Sequence, residues 1–171
     1  AIYNQADTFG LSPEDIRFLE KVVEYRITDA NFVLNNPNAF FVRLFFPPSL
    51  HYQMDTDLVD LFARAGVNVV TLAIETFCQR FNKKILYEKI SFADIQDLCL
   101  AFRRSGVRVD PYFMYGFPGQ TKEEFDTDVH AAHKLQESGV VDCVSFHFLT
   151  LLPGTSYYDE ALRTGMSEET Y

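Results

Sequence analysis

Runs of apolar residues alternate along this chain with segments whose apolar positions recur every three or four residues, and glycine marks most of the changeovers. Residues 40–46 (FFVRLFF) are nearly continuous in apolar side chains and are stopped by Pro47-Pro48, the pattern of a strand covered on both faces. Residues 55–65 set Leu58, Leu61, Phe62 and Ala65 on one helical face, with Asp55 and Asp57 as caps and Gly66 as the stop. Residues 68–75 (NVVTLAIE) are the next apolar run. Ser91-Phe92-Ala93-Asp94 reads as a capping box that opens a helix burying Ile95, Leu98, Cys99 and Phe102 and ending at Gly106. A strand over residues 108–115 (RVDPYFMY) follows. Thr121-Lys122-Glu123-Glu124 is a second capping box, and its helix turns Phe125, Val129, Ala132 and Leu135 inward before Gly139. Residues 143–149 (CVSFHFL) are the last strand and residues 156–163 the last helix. Ahead of all these, Ser12-Pro13-Glu14-Asp15 predicts a helix to about residue 25. Residues 27–34 mix strand formers with polar residues before the turn Asn35-Asn36-Pro37-Asn38.

Strand and helix thus alternate four times. That order predicts an α/β fold of parallel strands joined by helical crossovers. A doubly wound sheet and part of a (β/α) barrel both satisfy it. No G-x-G-x-x-G follows a strand and no G-x-x-x-x-G-K occurs, so the common nucleotide signatures of doubly wound sheets are missing.

Composition narrows the function classes. The chain has 171 residues, 47% of them hydrophobic and 23% charged, which suits one globular domain over residues 1–171. The net charge of −9 opposes nucleic-acid binding by this chain. No apolar run approaches membrane-spanning length, and residues 1–10 lack the basic and apolar regions of a signal peptide. Cys78, Cys99 and Cys143 are widely separated. That usage predicts a reducing, cytoplasmic setting, with each cysteine a small buried hydrophobe.

In either parallel architecture the chemistry sits at the C-terminal ends of the strands. Glu75 closes an otherwise apolar strand, and a carboxylate buried there needs partners. It can accept from a pair of vicinal hydroxyls such as those of a ribose. It can also pair with Arg43 or Arg80, or stay solvated. Residues 116–121 (GFPGQT) form a tight strand-to-helix turn whose glycines allow close backbone approach and whose N–H groups can meet an anion. The same composition serves a purely steric turn. His130 and His133 lie opposite the apolar stripe of their helix, as a solvated face. His147, between Phe146 and Phe148, is either an acid–base group facing inward or a hydrogen-bonded core residue. Lys89 can reach a ligand carboxylate. Lys83-Lys84 reads as a solvated patch.

Taken together these turns resemble the radical S-adenosylmethionine (SAM) superfamily, in particular the branch that often carries a cobalamin-binding domain. Residues 69–76 (VVTLAIET) resemble the "GIES"-type fourth strand, and residues 79–89 the short helix and lysine after it. Residues 112–121 (YFMYGFPGQT) resemble the fifth strand with its G-x-P-G-[EQ]-T turn. Residues 145–155, ending Leu152-Pro153-Gly154-Thr155, resemble the sixth strand and its P-G-T loop. Asp29-Ala30-Asn31-Phe32 is similar to the D-x-N-F segment ending the second strand. The likeness covers residues 27–163, with residues 1–26 as an N-terminal helix and flank.

The resemblance implies a partial parallel (β/α) barrel, TIM-barrel-like and incomplete at its N-terminus. It implies that the full-length protein holds SAM and a [4Fe–4S] cluster, with cobalamin as a further cofactor of the parent. In the family the reduced cluster cleaves SAM to a 5′-deoxyadenosyl radical that abstracts a substrate hydrogen. The residues it assigns to SAM are Glu75, Tyr112, Tyr115, Gly116, Phe117, Pro118, Gly119 and Leu151, with Arg43, Lys89 and His147 as additional contacts. Phe117 and the backbone near Leu151 are expected at the adenine. Three departures stand out. The C-x-x-x-C-x-x-C cluster motif is absent, the strand-four glycine is Ala73, and Tyr112 occupies a position that is acidic in some relatives. The expectation is therefore an excised fragment of an enzyme, inactive alone, with SAM as its small-molecule partner and an open barrel edge prone to self-association. A cluster-free relative acting as a binding module, or a TIM-barrel enzyme holding phosphate in the 116–121 turn, are the alternatives.

Overall fold

The computed structural model describes residues 12–28, 43–46, 55–85 and 91–165. In chain order the elements are α1 (Pro13–Thr28), β1 (Arg43–Phe46), α2 (Thr56–Ala65), β2 (Val69–Glu75), α3 (Gln79–Ile85), α4 (Phe92–Arg104), β3 (Arg108–Tyr115), α5 (Lys122–Glu137), β4 (Ser145–Phe148) and α6 (Ser156–Arg163). The expected Asp29–Phe32 segment, the 35–38 turn, Pro47-Pro48 and Lys89 lie outside the described residues, as does the Arg43 side chain.

The four strands form one parallel sheet in the order β1-β2-β3-β4. Four strands in strictly sequential order favour the barrel of the two architectures open to the sequence. A doubly wound sheet reverses its order at a switch point, whereas a barrel wall adds each strand beside the last. The helices agree. Leu19, Val22 and Val23 of α1, Val59 and Phe62 of α2, Ile95 and Phe102 of α4, and Ala132 and Leu135 of α5 all join one buried cluster with Val70, Leu72 and Ile74 of β2. The described helices in that cluster therefore pack on a single face of the sheet, as they do outside a barrel.

The local signals behave as chemistry requires. Asp55 caps α2 by accepting from Leu58 N at 2.8 Å, and both capping boxes form, Ser91 with Asp94 and Thr121 with Glu124. Gly66, Gly106 and Gly139 take positive φ where α2, α4 and α5 give way to loops.

Helix α1 runs on to Thr28, so Ile27 and Thr28 are helical and not the start of a strand. The buried stripe of α4 is the expected one. That of α5 is shifted: Asp128, Ala131, Ala132 and Leu135 are buried, while Phe125 and Val129 are only partly covered. Among the cysteines Cys143 is exposed, contrary to the expectation of burial. It sits in the irregular approach to β4, ahead of the strand's first paired residue.

Candidate functional site

The C-terminal ends of β2, β3 and β4 lie side by side, and the sequence explains how each turns away. Glu75 ends β2 with φ 65°, and it alone among the described non-glycine residues has positive φ. Thr76 N donates to Ile74 O at 2.8 Å, so Glu75 is the centre of a γ-turn of the strained, left-handed kind. The register with β3 slips at the same place, from Ala73↔Tyr112 to Glu75↔Phe113. Such backbone costs about 1–3 kcal/mol and persists only when its surroundings over-determine it.

Those surroundings are a buried network one layer behind. Asp128 of α5 is fully buried, and its two oxygens accept from Thr76 Oγ1 and Phe77 N, each at 2.7 Å. Thr76 Oγ1 in turn accepts from Cys78 N at 2.9 Å, and Asn82 Nδ2 donates to Thr76 O at 2.9 Å. Burial pushes the Asp128 carboxyl up to about 6, and the two hydrogen bonds offset only part of that rise.

The Glu75 carboxylate points away from the helices. Tyr112 Oη donates to Oε1 at 3.2 Å, while Oε2 is buried with no hydrogen-bond partner among the described residues. Burial holds this carboxyl above the usual carboxylate range, and the Tyr112 bond draws it partly back. The Tyr112 hydroxyl is itself raised, first by burial and then by the Glu75 charge and the bond to it. A buried acceptor with one open oxygen is a site for a donor from outside.

The 116–121 turn closes off β3 beside it. Gly116 has φ 86°, and a Cβ there would stand 2.6 Å from the Phe148 ring. Gln120 Oε1 accepts from Gly116 N at 2.8 Å and Phe117 N at 3.4 Å, and the N–H groups of Thr121 and Glu124 are used in the capping box. Arg80 on α3 donates from Nε and Nη2 to the Glu124 carboxylate, donates from Nη2 to Gly119 O at 2.7 Å, and lies over the Phe81 ring. This pairing holds Glu124 down to about 2. Leu149 N donates to Tyr115 O at 2.8 Å, which brings the 149–152 loop alongside. Leu151 is partly covered and Pro118 is buried.

Two aromatic side chains do not face the site as expected. Phe117 is buried and stacked on Phe81 at 4.6 Å, so the part it can offer a ligand is backbone. Tyr115 packs against Phe125 and Phe148, on the helix side of β3. His147 is exposed and not a core residue; its ring meets Tyr112 edge-on at 5.0 Å, and Nε2 lies 3.2 Å from Ser145 Oγ. Its side chain therefore shares a face with Tyr112 and, through Tyr112, with Glu75. Arg80 pairs with Glu124, so it does not serve as the Glu75 counter-ion. His130 and His133 are exposed, as their helical phase implied.

Asp128 and the Arg80–Glu124 clamp are not among the residues that the sequence points to. Asp128 had a visible signal. It stands three residues after Phe125 and four before Ala132, on the apolar stripe of α5, where a carboxylate needs a dedicated partner.

A sheet of sequential parallel strands, with helices on one face and polar groups at the strands' C-terminal ends, is the wall of a (β/α) barrel. Residues 8–132 match the radical SAM superfamily, and the chain belongs to that family. Its backbone is similar to that of the radical S-adenosylmethionine methyltransferase TsrM from Kitasatospora setae, solved with cobalamin and a [4Fe–4S] cluster bound. The TM-score is 0.71 at 21% identity, over 88% of this chain and 28% of that one. Methylornithine synthase is similar at a TM-score of 0.58 and 17% identity, over 86% of this chain and 37% of that one. In sequence the chain is 27% identical to the cytidylyl-2-hydroxyethylphosphonate methyltransferase of Streptomyces wedmorensis, over 67% of this chain and 22% of that protein. It is also 27% identical to the heme chaperone HemW of Buchnera aphidicola subsp. Acyrthosiphon pisum (strain APS), over 69% of this chain and 29% of that protein. The chain thus spans less than a third of the length of these sequence relatives. The structural likenesses establish the fold.

The two cofactors of the family fit this chain differently. The open Oε2 of Glu75 suits the hydroxyl or ammonium donors of SAM. The cysteines do not suit a cluster. Cys99 is inside the core with its thiol pushed up to about 12 by burial, Cys78 is buried behind the strand ends, and Cys143 lies beside Asp110 near the start of β3. Among the described residues no group of three or more Cys, His, Asp or Glu side chains is placed to hold a metal.

Proposed function

We propose that residues 1–171 are the SAM-holding wall of a radical SAM enzyme and that Glu75 is its principal polar contact. The observation that carries this reading is the buried Oε2 of Glu75, which has no hydrogen-bond partner among the described residues and stands on a left-handed turn at the mouth of the parallel strands. Its donor would be a ribose hydroxyl or the methionine ammonium of SAM. The Tyr112 bond keeps the carboxylate oriented and favours its charged form. The backbone of residues 116–119 and 149–152, including Gly116, Phe117 and Leu151, would line the adenine. Gly116 is needed for the turn itself, because a side chain there would meet the Phe148 ring. SAM reduced by a [4Fe–4S] cluster supplies the family's hydrogen-abstracting chemistry, and the cluster thiolates would come from outside these 171 residues.

The likeness to a cobalamin-bound methyltransferase supports cobalamin as a further cofactor of the complete protein. Free cysteines support a cytoplasmic setting, and among the described residues no helix is long and apolar enough to cross a membrane. The charge of −9 argues against nucleic acid as a partner of this part. The phosphate-binding alternative is less well supported, because the N–H donors of Gly116, Phe117, Thr121 and Glu124 already have acceptors within the turn.

The test is Glu75→Gln in the complete protein. SAM affinity should fall by about one to two decades, the worth of a hydrogen bond to a charged acceptor, with iron and sulfide content unchanged. A variant that titrates with SAM like the wild type removes Glu75 from the site.

A further inference from the structure

We infer that Asp128 is a positioning residue for the SAM site, its buried carboxylate fixing the left-handed turn that aims Glu75. This rests on the reading of Glu75 as a SAM contact.

Asp128 lies half a hundred residues along the chain from the turn, on another element, yet its two oxygens bind the hydroxyl and backbone N–H of the two residues that directly follow Glu75. With those bonds in place Thr76 has no polar group left to relax. Its N–H is given to Ile74 O, its hydroxyl is given to Asp128 while also accepting from Cys78 N, and its carbonyl is taken by Asn82. The peptide after Glu75 is thereby held from three sides. That is the over-determination a positive φ requires in a residue with a side chain.

Packing gives no reason for a carboxylate at this place. Its neighbours on the α5 stripe are Ala131, Ala132 and Leu135, and an aliphatic residue would cover the sheet without desolvating a charge. What Asp128 adds is two acceptors at fixed spacing, beyond the reach of any backbone group of a helix interior, whose carbonyls point along the axis. The carboxylate bonds to Thr76 and Phe77 and not to Glu75, so its influence on a ligand passes through the turn.

The experiment is a double-mutant cycle in the complete protein. SAM affinity and thermal midpoint are measured for wild type, Asp128→Asn, Glu75→Gln and the pair. Asp128→Asn should weaken SAM by about three- to tenfold and change nothing further when Glu75 is already Gln, a coupling that a general loss of stability does not produce. Thr76→Val, which deletes the hydroxyl donor, should weaken SAM similarly, and Thr76→Ser, which keeps it, should restore wild-type titration. This second pair decides the matter should Asp128→Asn fail to fold. If Glu75→Gln weakens SAM while Asp128→Asn and Thr76→Val do not, or do so equally in the Gln background, Asp128 has no positioning role and the Glu75 reading stands. If Glu75→Gln itself has no effect, both fall.

Discussion

The Tyr112 hydroxyl donates to Glu75 Oε1 across the β3–β2 step, at the point where the register between the two strands slips. The bond selects one of two carboxylate oxygens and leaves the other open. Tyr112→Phe should therefore weaken SAM binding by about tenfold, within the range for a bond to a charged acceptor. The pH dependence should change as well. The bond lowers the Glu75 carboxyl from a value that burial has raised, so its removal lets the value climb. In SAM titrations across pH, the acid limb of binding should move to higher pH in the phenylalanine variant. An unmoved limb means that the bond does not govern the ionisation of Glu75.

Asp128 makes stability depend on pH in a defined direction. Its folded value is about 6 against an ordinary 3.8. Between those values the folded state keeps a proton that the unfolded chain has lost. The contribution is therefore fully present below the ordinary value and disappears as pH rises through about 6. Urea unfolding of the wild type and of Asp128→Asn, from about pH 4 to about pH 7, should show the wild type losing stability relative to the variant as pH rises. A difference that is flat, or that grows with pH, would mean the two hydrogen bonds outweigh burial.

Gly116→Ala should cost more than Gly106→Ala. Both glycines have positive φ, at 86° and 77°, so both alanines pay the left-handed penalty of about 1–2 kcal/mol. A Cβ at 106 meets nothing within 4 Å, whereas one at 116 stands 2.6 Å from Phe148. Thermal melts should place Gly116→Ala lower, and adding Phe148→Ala should narrow the gap. Equal melting of the two single variants would show that the Phe148 ring swings aside at no cost.

Reconstitution of residues 1–171 with iron and sulfide under anaerobic conditions should yield no stable [4Fe–4S] cluster. Cys99 is protonated at neutral pH, and the three thiols stand apart on a helix, a loop and the approach to a strand. Stoichiometric iron and sulfide with a cubane EPR signal would overturn this.

Much of the fold was legible in the residues because its signals are local. Ser91, Thr121 and Asp55 cap helices through contacts three residues away, and Gly66, Gly106 and Gly139 mark stops by a conformation that side chains resist. The direction of side chains at the strand ends was not legible. Phe117 and Tyr115 look like ligand-facing aromatics until Phe81 and Phe125, from other elements, claim their rings. Asp128 was hidden for the same reason, since its partners are 51 and 52 residues away. His147 misled because its neighbours Phe146 and Phe148 suggest a core, whereas it lies on the other face of β4, the last described strand of the sheet. The end of α1 was misplaced because Ile27 and Thr28 are β-branched and favour strands by propensity, and propensity alone is a weak guide to where a helix stops.

On the proposed assignment, the Glu75 oxygen left without a partner among the described residues sets folding and ligand capture against each other at one atom. A buried carboxylate awaiting a donor is a charge the free protein would be more stable without. Glu75→Gln, nearly the same in shape and without the charge, should therefore melt higher than the wild type at neutral pH even as it releases SAM. Selection of variants for heat resistance alone would drift toward the amide and discard the carboxylate. The melting temperature of this chain, taken without ligand, consequently says nothing about how well its mouth is built; the informative quantity is the rise in melting temperature when SAM is added to the complete protein, which should be large for glutamate and small for glutamine.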